Sequence, residues 1–197
     1  MKTPVELCND ALRIIGLRAD CTNLDDPISE SDKVFSAYFA QTRRKELKRT
    51  RPRFACIEDR KLLGTPIDPA NPMSDIEFLK PRDCLYIQKV NGHTEFTEYG
   101  NRIEVKSSTQ GFININYVQD VIDTLLWTDE FDELMAAALA KKCVAFLTKD
   151  ATAKNVADAE YMTQVSQFNS LNARDAKIKK KHHVLQKNVW MFPRRYS

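Results

Sequence analysis

The imidazoles of this chain are limited to His93, His182 and His183. A Ser-His-acid or Cys-His constellation would have to use one of them, and none lies in a nucleophile-elbow context. His182 and His183 are adjacent, so on a helix they point in different directions, and the neighbouring Lys179, Lys180 and Lys181 repel a cation. The pairs Asp129-Glu130 and Asp132-Glu133 could serve as metal or acid/base carboxylates, but they open a helical segment, where the macrodipole accounts for them. No G-x-x-x-x-G-K-[ST], G-x-G-x-x-G or H-E-x-x-H occurs. Cys8, Cys21, Cys56, Cys84 and Cys143 are odd in number, scattered and without a C-x-x-C pair, so reduced thiols in a cytosolic setting are expected rather than a disulfide framework or a zinc site. Neither a catalytic residue, a metal nor a cofactor is expected.

Binding chemistry is better represented. Arg43, Arg44, Lys45, Lys48, Arg49, Arg51 and Arg53 place seven cations in eleven positions. They cover several faces of a helix end and repel one another unless a partner neutralises them, either acidic groups of another subunit or nucleic-acid phosphates. The chain's last residues, Trp190, Met191, Phe192, Arg194, Arg195 and Tyr196, combine residue types enriched at protein interfaces. Two readings are open for this arm, docking onto a partner and folding back onto the chain's own core. The run Lys177 to Lys181 could touch phosphates, though lysines also favour a helix C-terminus and a solvated face.

The charge is partitioned. Lys and Arg total 30 against 27 Asp and Glu, a net of +3 that excludes a strongly basic coat protein and an acidic disordered tail. Residues 41–61 hold nine basic and three acidic side chains and residues 174–197 hold eight and one, which leaves the remainder at −10. Two basic stretches thus sit on an acidic body, and a complementary subunit satisfies that pattern somewhat better than DNA. With 197 residues and 43% hydrophobic content, one core-forming domain is expected over residues 1–181, followed by an arm over 182–197. No apolar run approaches the ~18 residues of a membrane span, and Met1-Lys2 leads into a polar segment, so neither a membrane partner nor a secretion signal is expected.

The elements that must position these groups are legible in the periodicity. Thr3-Pro4-Val5-Glu6 reads as a capping box with Pro in the first turn, followed by Leu7, Ala11, Ile14 and Ile15 at helical spacing and a stop at Gly16, a helix over about 3–16. A second helix runs over about 30–50 and is ended by Pro52. From about 77 to 118 the period becomes two, as in Ile103 and Val105 or Ile113, Ile115 and Tyr117, with Gly100-Asn101 as a hairpin turn; about four antiparallel strands are expected. Helices return over about 129–148, where Thr128 caps and an alanine-rich face allows close approach, and over about 152–181. The predicted fold is α+β, a four-helix bundle-like core with a small antiparallel β-region inserted between helices 2 and 3, plus an extended C-terminal arm.

Several motifs occur in an order with a known counterpart: Leu7 to Gly16 (LCNDALRIIG), Leu47 before Arg53-Phe54-Ala55, Phe78 to Leu85 (FLKPRDCL), the strand ending at Tyr117, and Trp127 with Phe131 and Leu139-Ala140. Over roughly residues 3 to 170 the chain resembles the head-to-tail adaptor proteins of short-tailed bacteriophages, the tail tubular protein A or gatekeeper family. That resemblance implies a structural virion protein without catalytic activity, a dodecameric ring between the portal protein and the tail nozzle protein. Genomic DNA would pass through it without sequence-specific contact, and the subunit would reside in the virion neck after assembly in the host cytoplasm. Arg43 to Arg53 would then meet acidic surface on a neighbour, and the arm from residue 184 onward would anchor in the portal. The alternative from another class is a DNA-binding module using residues 43–53 and 174–195.

Overall fold

Thr3 opens the first helix by reciprocal capping: its hydroxyl accepts from the Glu6 N–H at 3.3 Å, and the Glu6 carboxylate accepts from the Thr3 N–H at 2.7 Å. In the computed structural model, residues 2–67, 75–91, 95–105 and 111–189 are described, residues 175–189 as backbone only. Helix α1 is Pro4–Ile14. Helix α2, Glu30–Thr50, begins with the same device, built from Ser29 and Asp32, and stops at Arg51, whose left-handed φ of 49° turns the chain into Pro52. Helix α3, Asp129–Leu147, is capped by Thr128, and α4 is Ala151–Val189.

Because Ala136, Ala137, Ala138 and Ala140 lack bulk, α3 sits in the middle of the helical half and touches α1, α2 and α4. Phe131, Leu134, Met135 and Leu139 are fully buried along it, and each such side chain contributes about 1.5–3 kcal/mol relative to exposure. The Phe131 ring meets Phe54, Trp127 and Phe168 edge-on at centroid distances of 5.2, 5.0 and 5.8 Å. Leu7 and Leu12 of α1, Phe35 and Leu47 of α2, and Ala157 of α4 complete this core.

Between α2 and α3 the described residues form six strands, β1 (Cys56–Pro66), β2 (Ile76–Leu79), β3 (Cys84–Asn91), β4 (Phe96–Tyr99), β5 (Arg102–Val105) and β6 (Phe112–Gln119). Every pairing is antiparallel and the order across the sheet is β3-β6-β1-β2-β5-β4. Gly100 turns the β4–β5 hairpin at a φ of 56°. A second core fills this half, with Phe78, Ile103, Val105, Ile113 and Ile115 buried together.

This corrects the architecture expected from the sequence. The α+β class stands, but the strand region is a six-stranded, barrel-like sheet with a core of its own, too large to be a small insert, and the protein is not built on a four-helix bundle-like core. The additional strands include β1, in the stretch from Cys56 that carries no period of two. Its ladder to β6 shifts register between Ile57 and Arg60, and Asp59 takes a φ of 55° there. The expected extended arm from residue 182 is helical as far as Val189, and only 190–197 lie outside the described residues.

Candidate functional site

Sequence reasoning required external partners for the Arg43 to Arg53 cations. The fold supplies several of them internally. Arg43, near the middle of α2, is buried and donates from Nε to Asp120 Oδ1 at 2.9 Å and from Nη2 to Asp120 Oδ2 at 3.1 Å. Arg44 adds a third contact, Nε to Asp120 Oδ2 at 2.8 Å, while keeping most of its side chain in water. Burial pulls the Asp120 carboxyl upward, but the hydrogen bonds from Arg43 and Arg44 outweigh it and hold the group below its ordinary range.

Arg49 is satisfied within its own helix. Its Nε and Nη2 donate to Glu46 Oε2 at 2.9 and 2.6 Å, and the Tyr161 hydroxyl donates to Glu46 Oε1 at 3.0 Å from α4. The guanidinium carbon also lies 5.2 Å from the Tyr161 ring centre. Arg51 stacks its guanidinium over Tyr86 of β3 at 4.6 Å. Arg53 is exposed at the start of a single 3-10 turn and borders a small recess with Phe54, Glu130 and Phe168. Of the five arginines expected to bind partners, Arg43 is withdrawn from the surface and Arg44, Arg49 and Arg51 already have intramolecular companions. Trp190, Met191, Phe192, Arg194, Arg195 and Tyr196 lie outside the described residues, as does His93, and His182 and His183 fall on the backbone-only part of α4.

What the fold brings together instead is a groove of about 850 Å³ between α2 and α3, with Tyr161 of α4 at one side. Ala37, Ala40 and Ala138 are small enough to leave its floor open, and Lys45, Lys48, Lys141 and Lys142 stand around it. Lys141 pairs with Asp158 at 2.9 Å and lies over the Tyr161 ring at 4.7 Å. Lys142 lies 4.9 Å over Tyr38, which stacks on Phe146 at 5.0 Å. Lys45 and Lys48 form no ion pair with a described residue. Among the described residues Glu46 is the one acid lining the groove, and both of its oxygens are occupied by Arg49 and Tyr161. The arrangement is a cationic trough that can receive carboxylates or phosphates along with modest apolar bulk.

Sequence reasoning missed Lys141 and Lys142 because they stand inside an alanine-rich helix whose pattern reads only as core. Their adjacency, with Ala138 one turn before, was the available signal. Cys8, Cys21 and Cys143 are buried, Cys56 and Cys84 half-buried, and none of the five forms a disulfide. Burial pushes Cys143 up to about 12 and Cys84 up to about 11, which keeps both protonated at neutral pH and weakly nucleophilic. Asp132, from the acidic start of α3, is buried, and burial raises its carboxyl above the usual range. Among the described residues no group of three His, Cys, Asp or Glu side chains is placed to hold a metal, and no helix is long and apolar enough to cross a membrane.

No protein-family model matches the chain, and no curated protein matches it.

Proposed function

We propose that this chain is a structural subunit of the head-to-tail connector of a short-tailed bacteriophage, acting by assembly and docking between portal and tail nozzle. The ordered motifs between Leu7 and Ala140 support the reading. The geometric observation that carries it is the length of α4. At 39 residues, α4 is about 58 Å long, against about 28 Å for α3, the 19-residue helix it packs on. Its last described tertiary hydrogen bond is from Asn172 Nδ2 to the Thr50 carbonyl at 3.3 Å. The helix then runs on to Val189, and Trp190, Phe192, Arg194, Arg195 and Tyr196 follow it in the sequence. A long helix followed in sequence by aromatic and arginine residues suits insertion into a partner.

Deletion of residues 184–197 tests this. The truncated protein keeps its circular dichroism and thermal transition and loses binding to the cognate portal protein. Portal capture equal to that of the full chain would sink the docking role.

Lys45 and Lys48, which form no ion pair with a described residue, favour one second reading, a module that binds duplex DNA through phosphates. It predicts affinity falling steeply with salt and lowered by Lys45→Gln and Lys48→Gln, whereas a connector subunit binds free duplex weakly at physiological salt.

A further inference from the structure

The cationic groove has a counterpart on the same chain. Between β6 and α3, Val121 and Trp127 are both buried, and the Trp127 Nε1–H donates to the Val121 carbonyl at 3.2 Å. These two anchors clamp a single 3-10 turn, Thr124–Leu126, in which Thr124 is buried and Asp123 Oδ1 accepts from the Leu125 N–H at 2.9 Å. The clamp forces the remaining side chains outward: Ile122, Leu125 and Leu126 are 67%, 60% and 63% exposed. Three large aliphatics held in water on a braced turn are a docking feature rather than scattered surface. Glu130 and Glu133 follow on α3, three residues apart and therefore on one stripe, both exposed.

The ridge is apolar and acidic; the groove is open-floored and basic. Glu130 and Lys141 are eleven residues apart on α3, a rise of about 16 Å. That exceeds the screening length of about 8 Å at physiological salt, so Glu130 and Lys141 do not pair within one chain. We propose that the ridge of one copy, Ile122, Leu125 and Leu126 with Glu130 and Glu133, seats in the α2–α3 groove of a second copy. Its aliphatics lie against Ala37, Ala40 and Ala138, and its carboxylates meet Lys45, Lys48 and Lys142. Two different surfaces of one chain in contact make a heterologous, head-to-tail interface, which propagates until rotation closes a ring. The inference rests on the connector reading for its setting, and its test needs no portal.

Sedimentation of the full chain over a concentration series at low salt reads the contact. Wild type associates, and added salt weakens the association. Lys45→Glu with Lys142→Glu reverses the groove, Glu130→Lys with Glu133→Lys reverses the ridge, and each weakens self-association by more than about tenfold. Each reversed protein keeps one native surface, and the reversed ridge is complementary to the reversed groove, so an equimolar mixture regains the association that each reversed protein alone has lost. If a reversal fails to fold, carbodiimide cross-linking of mixed heavy- and light-isotope wild type replaces it, with Lys45 or Lys142 joined between copies to Glu130 or Glu133. A monomeric wild type, association indifferent to either reversal, a mixture that regains no association, or a groove reversal that affects only duplex DNA binding each overturns the proposal. Portal capture by a chain that stays monomeric overturns this contact and leaves the connector reading standing, and self-association without portal capture does the reverse.

Discussion

Arg43 and Asp120 are 77 residues apart in sequence and joined by two hydrogen bonds of 2.9 and 3.1 Å, which ties the middle of α2 to the end of β6. Both side chains are nearly excluded from water. Arg43→Met removes two of the three hydrogen bonds to this buried carboxylate and is expected to cost about 3 kcal/mol in urea denaturation at pH 7. Arg44 still holds Asp120, so Arg43→Met with Arg44→Met costs more than the sum of the single changes. A loss below about 0.5 kcal/mol for Arg43→Met would mean that the pair does not join the two halves.

Asp32 gives the fold a dependence on acid. Its carboxylate accepts from the Thr22 N–H at 2.8 Å, the Asn23 N–H at 3.3 Å and the Ser29 N–H at 3.1 Å, closing the loop that precedes α2. Burial raises its pKa, but the hydrogen bonds from Thr22 and Ser29 overcome this and leave it well below the ordinary carboxylate range. A folded pKa below the unfolded value of about 3.9 means stability that is present above pH 4 and lost as pH falls through the folded value. Asp32→Asn is therefore expected to destabilise by about 1–3 kcal/mol at pH 7. The gap to wild type should narrow steadily below pH 4 in thermal melts, and a gap independent of pH would exclude this linkage.

These two carboxylates mark the boundary of what the sequence reveals. Asp32 stands three residues after Ser29, and such caps act over a single turn, so Thr3 with Glu6, Ser29 with Asp32, and Thr128 locate the helix starts directly. Asp120 carries no local signature; its role exists only because the sheet returns β6 to α2. The strand β1 was hidden for a related reason. Its bulge between Ile57 and Arg60 breaks the alternation, although Arg60 and Lys61 on its far side pair with β6. The cation cluster was visible, but the neutralisation of Arg43 and Arg44 was not, since Asp120 comes from a distant element, whereas Glu46, three residues before Arg49, was a local signal.

Tyr161 governs the alkaline side. Its hydroxyl donates to the buried Glu46, and burial, followed by the Glu46 charge, pushes its pKa up to about 12. A raised folded pKa contributes stability that is complete below the unfolded value of about 10 and lost as pH rises toward 12. Tyr161→Phe leaves Glu46 Oε1 without its donor and is expected to cost about 1–2 kcal/mol at pH 7. Ultraviolet titration of the folded protein should show one fewer late-ionising tyrosine in the variant. An unchanged titration curve would contradict this assignment.

Gly64 shows how the sheet half tolerates a large aromatic core residue. It stands directly opposite Phe78 in the β1–β2 ladder, and a Cβ at this position would overlap the Phe78 ring and Ile76 Cγ2. Phe78 is fully buried, so the ring cannot swing into solvent to make room. Gly64→Ala is expected to destabilise by about 1–3 kcal/mol through overpacking. If the cause is this contact, shrinking the ring relieves it: Phe78→Leu alone costs stability by leaving a void, but in the Gly64→Ala background it costs less by at least about 0.5 kcal/mol. Because the helical core is separate, amide exchange should accelerate first in β1, β2 and β5 and last in α3. Strict additivity of the two substitutions, or acceleration spread evenly over both halves, would show that Gly64 is not retained to accommodate Phe78.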